Sequence, residues 1–418
     1  MPRRVLIVSC SHGDPPTQPR PHRARELGAF LVARGVAVEH SVFVDAPLTL
    51  GERRRWVTDD ESCGRVELAG AATIERAWGR LLRRAADGLG FAPRACPRVF
   101  HQALRRRSSS GDPVDAVIVL AARLLPAIEP LRARATLVLD VHRLDGASEP
   151  AARRIGREDA SAPLVAWTRA VIDGALPGAV LLRCEEDAAL LGPLRGGARR
   201  LLAPVVAAVR AKSSAAAPDP VRPPRILFVG SETIANLDGL RWFRHRVLPR
   251  VRRLVPSCRL RIVGEAGRHI EPGADIDRVG WVDDLSREYR DAAVVVLPLR
   301  IGGRFHRRAV EALAHGKALA MTSASAYGLA LCHRDDAIVA SDDDVLAQGV
   351  VDVLSEDVLR RRLEERAREI AAERFAPEPA LAPLAELIER RGAFAMPYSP
   401  SHSPPSDAWP SDAWPSES

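Results

Sequence analysis

Residues 293–322 read AVVVLPLRIGGRFHRRAVEALAHGKALAMT. Ala293 to Leu297 is wholly apolar, as expected of a strand buried on both faces. Pro298 and the pair Gly302-Gly303 break that run. Arg307 to His315 has helix character, and Ala318 to Thr322 is apolar again. Strand, glycine turn, helix and strand in this order form a β-α-β unit, the building block of a parallel sheet.

The same alternation extends outward. Upstream, Arg225-Ile-Leu-Phe-Val229 stops at Gly230-Ser231, and Leu237 to Leu254 predicts a helix. Arg259-Leu-Arg-Ile-Val263 stops at Gly264, Asp277 to Val282 predicts a strand, and Leu285 to Asp291 a short helix. Helical segments from Asp343 and from Asp357 close a doubly wound unit over 225–392. The first half, 1–210, opens with the same grammar. Val5 to Val8 is apolar, Arg23 to Arg34 is helix-like, Gly35 stops it, and Val36 to Val44 alternates like a strand. Residues 51 to 112 are charged and read as mostly helical. Further apolar runs fall at 116–120, 136–139, 179–182 and 201–206. Residues 211–224, AKSSAAAPDPVRPP, predict a linker. The tail 393–418 is Ser/Pro-rich, repeats Ser-Asp-Ala-Trp-Pro at 406–410 and 411–415, and lacks the apolar content to fold.

Composition narrows the class. The chain has 418 residues, 46% hydrophobic and 27% charged, which suits a globular protein of two or three domains, two large ones included. It contains no apolar run long enough for a membrane helix, and the N-terminus reads as a first strand, not a signal peptide. The six cysteines are scattered without a CxxC pair, so reduced thiols are expected and a zinc site is not. The net charge of +8 raises nucleic acid as a partner, but of the 61 basic residues only Lys212 and Lys317 are lysine. Asn236 is the one asparagine. So global a skew reflects the whole chain and not a local basic patch, and no specific nucleic-acid partner is expected.

The chemistry concentrates in the stretch quoted first. Glycines let backbone approach a ligand closely, and the free N–H groups of a helix start favour an anion. Arg304, His306, Arg307 and Arg308 surround that start, where positive charge opposes the helix dipole. The set suits a diphosphate. Glu311, one turn into the helix, disfavours phosphate but suits the hydroxyls of a ribose diol. An amphipathic helix with a basic first turn is the other reading of these residues.

Residues 225 to about 375 resemble the C-terminal domain of glycosyltransferase family 4 (group 1) in order and spacing. The similarity is carried by RILFVGSETIANLDGLRWF at 225–243, LRIVGEAG, VGWVDDL and above all EALAHG from Glu311. The first half is similar more weakly, through Asp14-Pro-Pro-Thr-Gln-Pro-Arg-Pro-His-Arg23-Ala-Arg25, the strand Leu137-Val-Leu-Asp140-Val-His142, and Arg183-Cys-Glu185-Glu186-Asp187. The resemblance implies an α/β protein of the GT-B fold: two Rossmann-like doubly wound domains facing across a cleft, the first on the acceptor side and the second binding a nucleotide sugar.

Carried over by position, the resemblance makes Glu311 the ribose-binding glutamate. Gly230 and Ser231 become the loop facing the donor phosphates, and Gly302 and Gly303 the turn beside the donor sugar. It adds His306 and Arg307 to the donor-binding set, and Tyr327, Gly328 and Leu329 to the nucleotide side. Arg308 and Arg304 would stabilise the leaving diphosphate, and Asp140 with His142 would project into the cleft. The chain departs from the family at Gly303, where many members carry a glutamate, at Arg304 and His306 in the glycine-rich turn, and at Pro204-Val-Val-Ala. The expected function is a retaining, metal-independent hexosyl transfer from a nucleoside-diphosphate sugar to a glycan, glycolipid or other acceptor. Neither cofactor nor metal is expected; Asp342-Asp343-Asp344 reads as a helix cap. The expected setting is cytoplasmic polysaccharide or glycolipid assembly, with peripheral contact at the inner face of a membrane through 53–107. A degenerate sugar-nucleotide-binding protein and a GT-B sugar-nucleotide epimerase are the alternatives.

Overall fold

A computed structural model of the chain describes residues 3–11, 22–44, 65–70, 104, 113–120, 124, 125, 128, 131, 135–141, 161–194, 197–207, 223–301 and 307–390. The linker segment 211–222 and the tail 393–418 lie outside these. The chain divides into two compact units, one comprising 1–144, 162–204 and 381–418, the other 145–161 and 205–380.

The first unit holds a seven-stranded parallel sheet. Its strands are β1 (Arg4–Ser11), β2 (Ala37–Val44), β3 (Arg65–Gly70), β4 (Ala116–Val119), β5 (Thr136–Asp140), β6 (Ala179–Leu182) and β7 (Arg199–Leu202), in the order β3-β2-β1-β4-β5-β6-β7. Strand β3 falls inside the segment expected to be mostly helical. The alternation of Val66 and Leu68 with charged neighbours lets Arg65–Gly70 pair in parallel with β2. The rest of 51–112 apart from Leu104 is outside the described residues. Helices α1 (His22–Ala33), α2 (Ser161–Ala175) and α3 (Glu185–Leu191) belong to this unit. Gly35, at φ 77°, makes the turn from α1 into β2, a conformation that costs most other residues energy. One core of this unit lies on a single face of the sheet: Leu6, Val8, Val117, Val119, Leu137, Leu139, Val180 and Leu182 alternate onto it.

The second unit holds a six-stranded parallel sheet. Its strands are β8 (Arg225–Val229), β9 (Arg259–Val263), β10 (Ile276–Gly280), β11 (Val294–Leu297), β12 (Leu319–Met321) and β13 (Ile338–Val339), ordered β10-β9-β8-β11-β12-β13. Helices α4 (Ile234–Trp242) and α5 (Leu248–Leu254) follow β8. They are parts of the helix read over 237–254, which runs on unbroken through a π turn, Phe243–Val247. Pro249 supplies the reason. It has no N–H for the carbonyl one turn back, and its ring crowds that carbonyl. Helix α6 (Ser286–Asp291) precedes β11, and α7 (Arg307–Ala314) follows it. Helices α8 (Asp343–Ser355) and α9 (Asp357–Ile370) follow, and α10 (Pro377–Glu389), which from Leu381 on belongs to the first unit, ends the described chain. The central strands are buried on both faces, with Ile226, Phe228, Leu260, Ile262, Val294 and Val296 in the largest cluster.

Asp342 caps α8 as expected, accepting from the backbone N–H groups of Asp344 at 2.9 Å and Val345 at 3.0 Å. Asp343 pairs with Arg246 at 2.9 Å and Asp344 pairs with Arg250. The three carboxylates come within 4.8 Å of one another, so their negative charge is met by cap N–H groups and two guanidinium groups. None of the helices among the described residues is long and apolar enough to cross a membrane.

Candidate functional site

In an open parallel sheet, ligands bind outside the carboxyl ends of the strands where the strand order reverses. In the second unit that point lies between β8 and β11, so the loops from Gly230 and from Pro298 flank it.

The sequence builds this edge by close backbone packing. Gly264 sits at φ 101° and ψ −179°, a region open essentially to glycine alone. A Cβ there would run into the Gly230 carbonyl. The Gly264 N–H donates to Gly280 O at 2.6 Å, the Gly230 N–H to Val263 O at 2.9 Å, and the Ala266 N–H to Gly230 O at 3.3 Å. The ends of β8, β9 and β10 thus form a ledge of three glycines, with the Phe228 ring and the Asn236 amide packed over Gly230. Ser231 is exposed beside this ledge.

The block around Asn236 explains itself against the next loop. The Asn236 backbone N–H donates to Thr233 Oγ1 at 3.3 Å, and its side-chain amide to Ser231 O at 2.9 Å, which fixes the loop after β8. Asp238 accepts two hydrogen bonds from Arg300, one from Nε at 3.0 Å. The Arg300 guanidinium lies over the Trp242 ring, 5.9 Å from its centre. Gly239 lets α4 approach the other loop: a Cβ there would lie 2.6 Å from Pro298 O and 3.0 Å from Leu299 Cα. Buried Thr322 and Ser325 complete the frame. Ser325 Oγ donates to Leu297 O at 2.7 Å and accepts from the Leu299 N–H at 3.2 Å, while Thr322 Oγ1 donates to Leu299 O. The loop after β11 is therefore held from both sides as it leads toward α7.

Helix α7 presents Arg307, Arg308 and Glu311 together. Glu311 accepts from Arg307 Nε at 2.8 Å and from Arg308 Nη1 at 2.5 Å. Burial acts to raise the Glu311 carboxyl's pKa, but the charge of Arg308 and the hydrogen bonds from both arginines outweigh it and hold it below the ordinary carboxylate range. Two guanidiniums and one carboxylate leave these first described turns of α7 with one net positive charge. That arrangement offers acceptor oxygen and cationic donors side by side, as a molecule carrying both hydroxyls and phosphate requires. At the far end of α7, Gly316 takes φ 63° and turns the chain into β12.

Of the residues expected in the donor site, Gly230, Ser231, Arg307, Arg308 and Glu311 lie at this edge. Tyr327, Gly328 and Leu329 follow β12 on the same edge. Gly328 has φ 74°, Tyr327 is half-buried, Leu329 is fully buried, and the Leu329 carbonyl accepts from Arg374 Nη2 at 2.6 Å. Gly302, Gly303, Arg304 and His306 lie outside the described residues, as does His142.

Asp140 ends β5 in the first unit, where its side chain is buried at 2% exposure. Its Oδ2 accepts from Arg23 Nε at 2.8 Å, and Arg23 Nη1 also donates to Pro204 O at 2.8 Å. Asp140 is thus one anchor of an arginine that ties the start of α1 to the end of β5 and to the residues after β7. Arg23 belongs to the proline-rich motif quoted above, but nothing in that motif shows that it meets Asp140. The contacts of Gly264 with Gly280 and of Asp238 with Arg300 were equally hidden, since each depends on which strands and helices become neighbours.

The profile of the family described as "Glycosyl transferases group 1" matches residues 223–356. No curated protein matches the chain. Among solved structures, the chain is similar to sucrose-phosphate synthase from Thermosynechococcus elongatus, at TM-score 0.63 and 17% identity over 92% of this chain and 98% of that one. It is similar to a point mutant of S. aureus TarM in complex with fondaparinux, alpha-GlcNAc-glycerol and UDP, at TM-score 0.64 and 9% identity over 93% and 100%. It is also similar to Anabaena Alr3699/HepE in complex with UDP-glucose, at TM-score 0.59 and 14% identity over 92% and 99%. The fold is therefore that of the GT-B glycosyltransferases, built from two Rossmann-like units.

Proposed function

We propose that the protein is a glycosyltransferase of family 4 type that moves a hexosyl group from a nucleoside-diphosphate sugar to a glycan or lipid-linked acceptor, with retention and without a metal. The observation that carries this reading is Glu311, ionised and held by Arg307 and Arg308 on the first turns of α7, beside the switch point of the second sheet. The profile match over 223–356 and the UDP and UDP-glucose complexes of similar folds support a nucleotide-sugar donor.

In this reading Glu311 accepts hydrogen bonds from the two ribose hydroxyls. Arg308, with Arg304 and backbone N–H groups, neutralises the diphosphate as charge develops on it. The bond from the sugar's anomeric carbon to the diphosphate oxygen breaks, and a bond to the acceptor oxygen forms on the same face. The acceptor proton passes to the departing phosphate, so the chain needs no general base. His306, Gly302 and Gly303 line the sugar, and Asp140 with His142 belongs to the acceptor side.

The test is turnover of UDP-, GDP-, dTDP- and ADP-sugars with glycan and lipid acceptors, with and without EDTA, reading the product's anomeric configuration by NMR. One donor is expected to be consumed only with an acceptor, with configuration retained and the rate unchanged by EDTA. Inversion at a sugar carbon without an acceptor would identify an epimerase. Binding without turnover would identify a degenerate protein, and loss of activity in EDTA would overturn metal independence.

A further inference from the structure

One buried group beside Glu311 has no place in the reading above. Tyr289 lies on α6 at 1% exposure, and its hydroxyl is 3.4 Å from Glu311 Oε2. The positive charge of Arg308, the other partner of that carboxylate oxygen, acts on the same phenol. The phenol ring stacks on His315, with centres 4.5 Å apart and planes at 20°. The His315 backbone N–H donates to Glu311 O at 3.0 Å, so the ring rests against the turn of chain that carries Glu311. Burial first, and the Glu311 charge second, keep the phenol protonated far above neutral pH. It is therefore a permanent donor.

An anionic diphosphate competes with Glu311 for Arg308. When Arg308 turns to the phosphate, Glu311 Oε2 gives up its cationic partner. A neutral O–H already in place then keeps that oxygen satisfied without adding charge to the site. We propose that Tyr289 is a positioning residue of the donor site: its hydroxyl holds the Glu311 carboxylate in the orientation that receives the ribose hydroxyls while Arg308 engages the diphosphate. This rests on the donor-site reading above.

Tyr289→Phe keeps the ring, its burial and its stacking on His315, and removes only the hydroxyl. The experiment is calorimetric titration of UDP, GDP, dTDP and ADP into the wild type, Tyr289→Phe, Glu311→Gln and the double variant, with melting points for each. Tyr289→Phe is expected to weaken the nucleotide that the wild type binds by about tenfold, with the melting point within about 2 °C of the wild type. In the Glu311→Gln background the same change is expected to add little, since the two residues act as one unit. Wild-type affinity in Tyr289→Phe, or a full tenfold loss persisting without the carboxylate, would overturn the tyrosine's role alone. A wild type that binds none of the four nucleotides would overturn the donor-site reading, and the proposal with it.

Discussion

Glu311→Ala weakens nucleoside-diphosphate binding by about a hundredfold. A carboxylate that accepts two ribose hydroxyls makes two hydrogen bonds to a charged acceptor, each worth about 1.5 kcal/mol or more, and roughly 3 kcal/mol is two powers of ten in affinity. Stability responds less, by about 1–2 kcal/mol, because Arg307 and Arg308 are partly exposed and regain water when the carboxylate goes, while the buried Tyr289 hydroxyl loses its acceptor. The pH dependence follows in sign. The folded protein holds the Glu311 pKa below its ordinary value, so the ion pairs contribute in full above that value and are lost as pH falls through the depressed one. Nucleotide affinity in the wild type therefore declines on the acid side, and the alanine variant lacks that decline. Affinity by calorimetry and melting points across pH check both statements. Equal losses in affinity and in melting point would make Glu311 a structural residue.

Gly264→Ala has the largest expected effect on folding. Its φ of 101° with ψ of −179° is a glycine conformation, and a Cβ there would press on the Gly230 carbonyl, which is backbone and has no rotamer to yield. Strain of about 1–3 kcal/mol joins an overpacking cost of similar size, so the loss is about 3 kcal/mol or more. For a unit of this size that lowers the melting point by roughly 6–12 °C. Since the displaced atoms belong to the ledge of Gly230 and Gly280, nucleotide binding falls as well. A melting point within about 2 °C of the wild type would show that the ledge rearranges without cost.

Local patterns in the chain carried the second unit well. The apolar runs 225–229, 259–263 and 294–297 are strands, the segment after Gly302-Gly303 is a helix, and Glu311 sits on it. Such features are local: buried parallel strands are continuously apolar, and glycines mark where they stop. What escaped was set by neighbours distant in sequence. Tyr289 meets Glu311 only because α6 packs beside α7, and Arg23 meets Asp140 across more than a hundred residues of chain. The π turn between α4 and α5 follows from the nearby Pro249, but proline near a helix start and proline within a helix look alike until the flanking turns are seen. Strand β3 was masked by Arg65 and Glu67, which suit either a solvated helix face or one side of a short edge strand.

The central claim is that the carboxyl edge of the second sheet binds a nucleoside diphosphate. Amide hydrogen exchange with and without saturating UDP, GDP, dTDP or ADP tests it most directly, because ligand contacts and the order they impose slow exchange where they form. One nucleotide is expected to protect 228–233, 280–290 and 298–311, with little change in strands β1 to β7. No protection from any of the four, or protection confined to the first unit, would contradict the account.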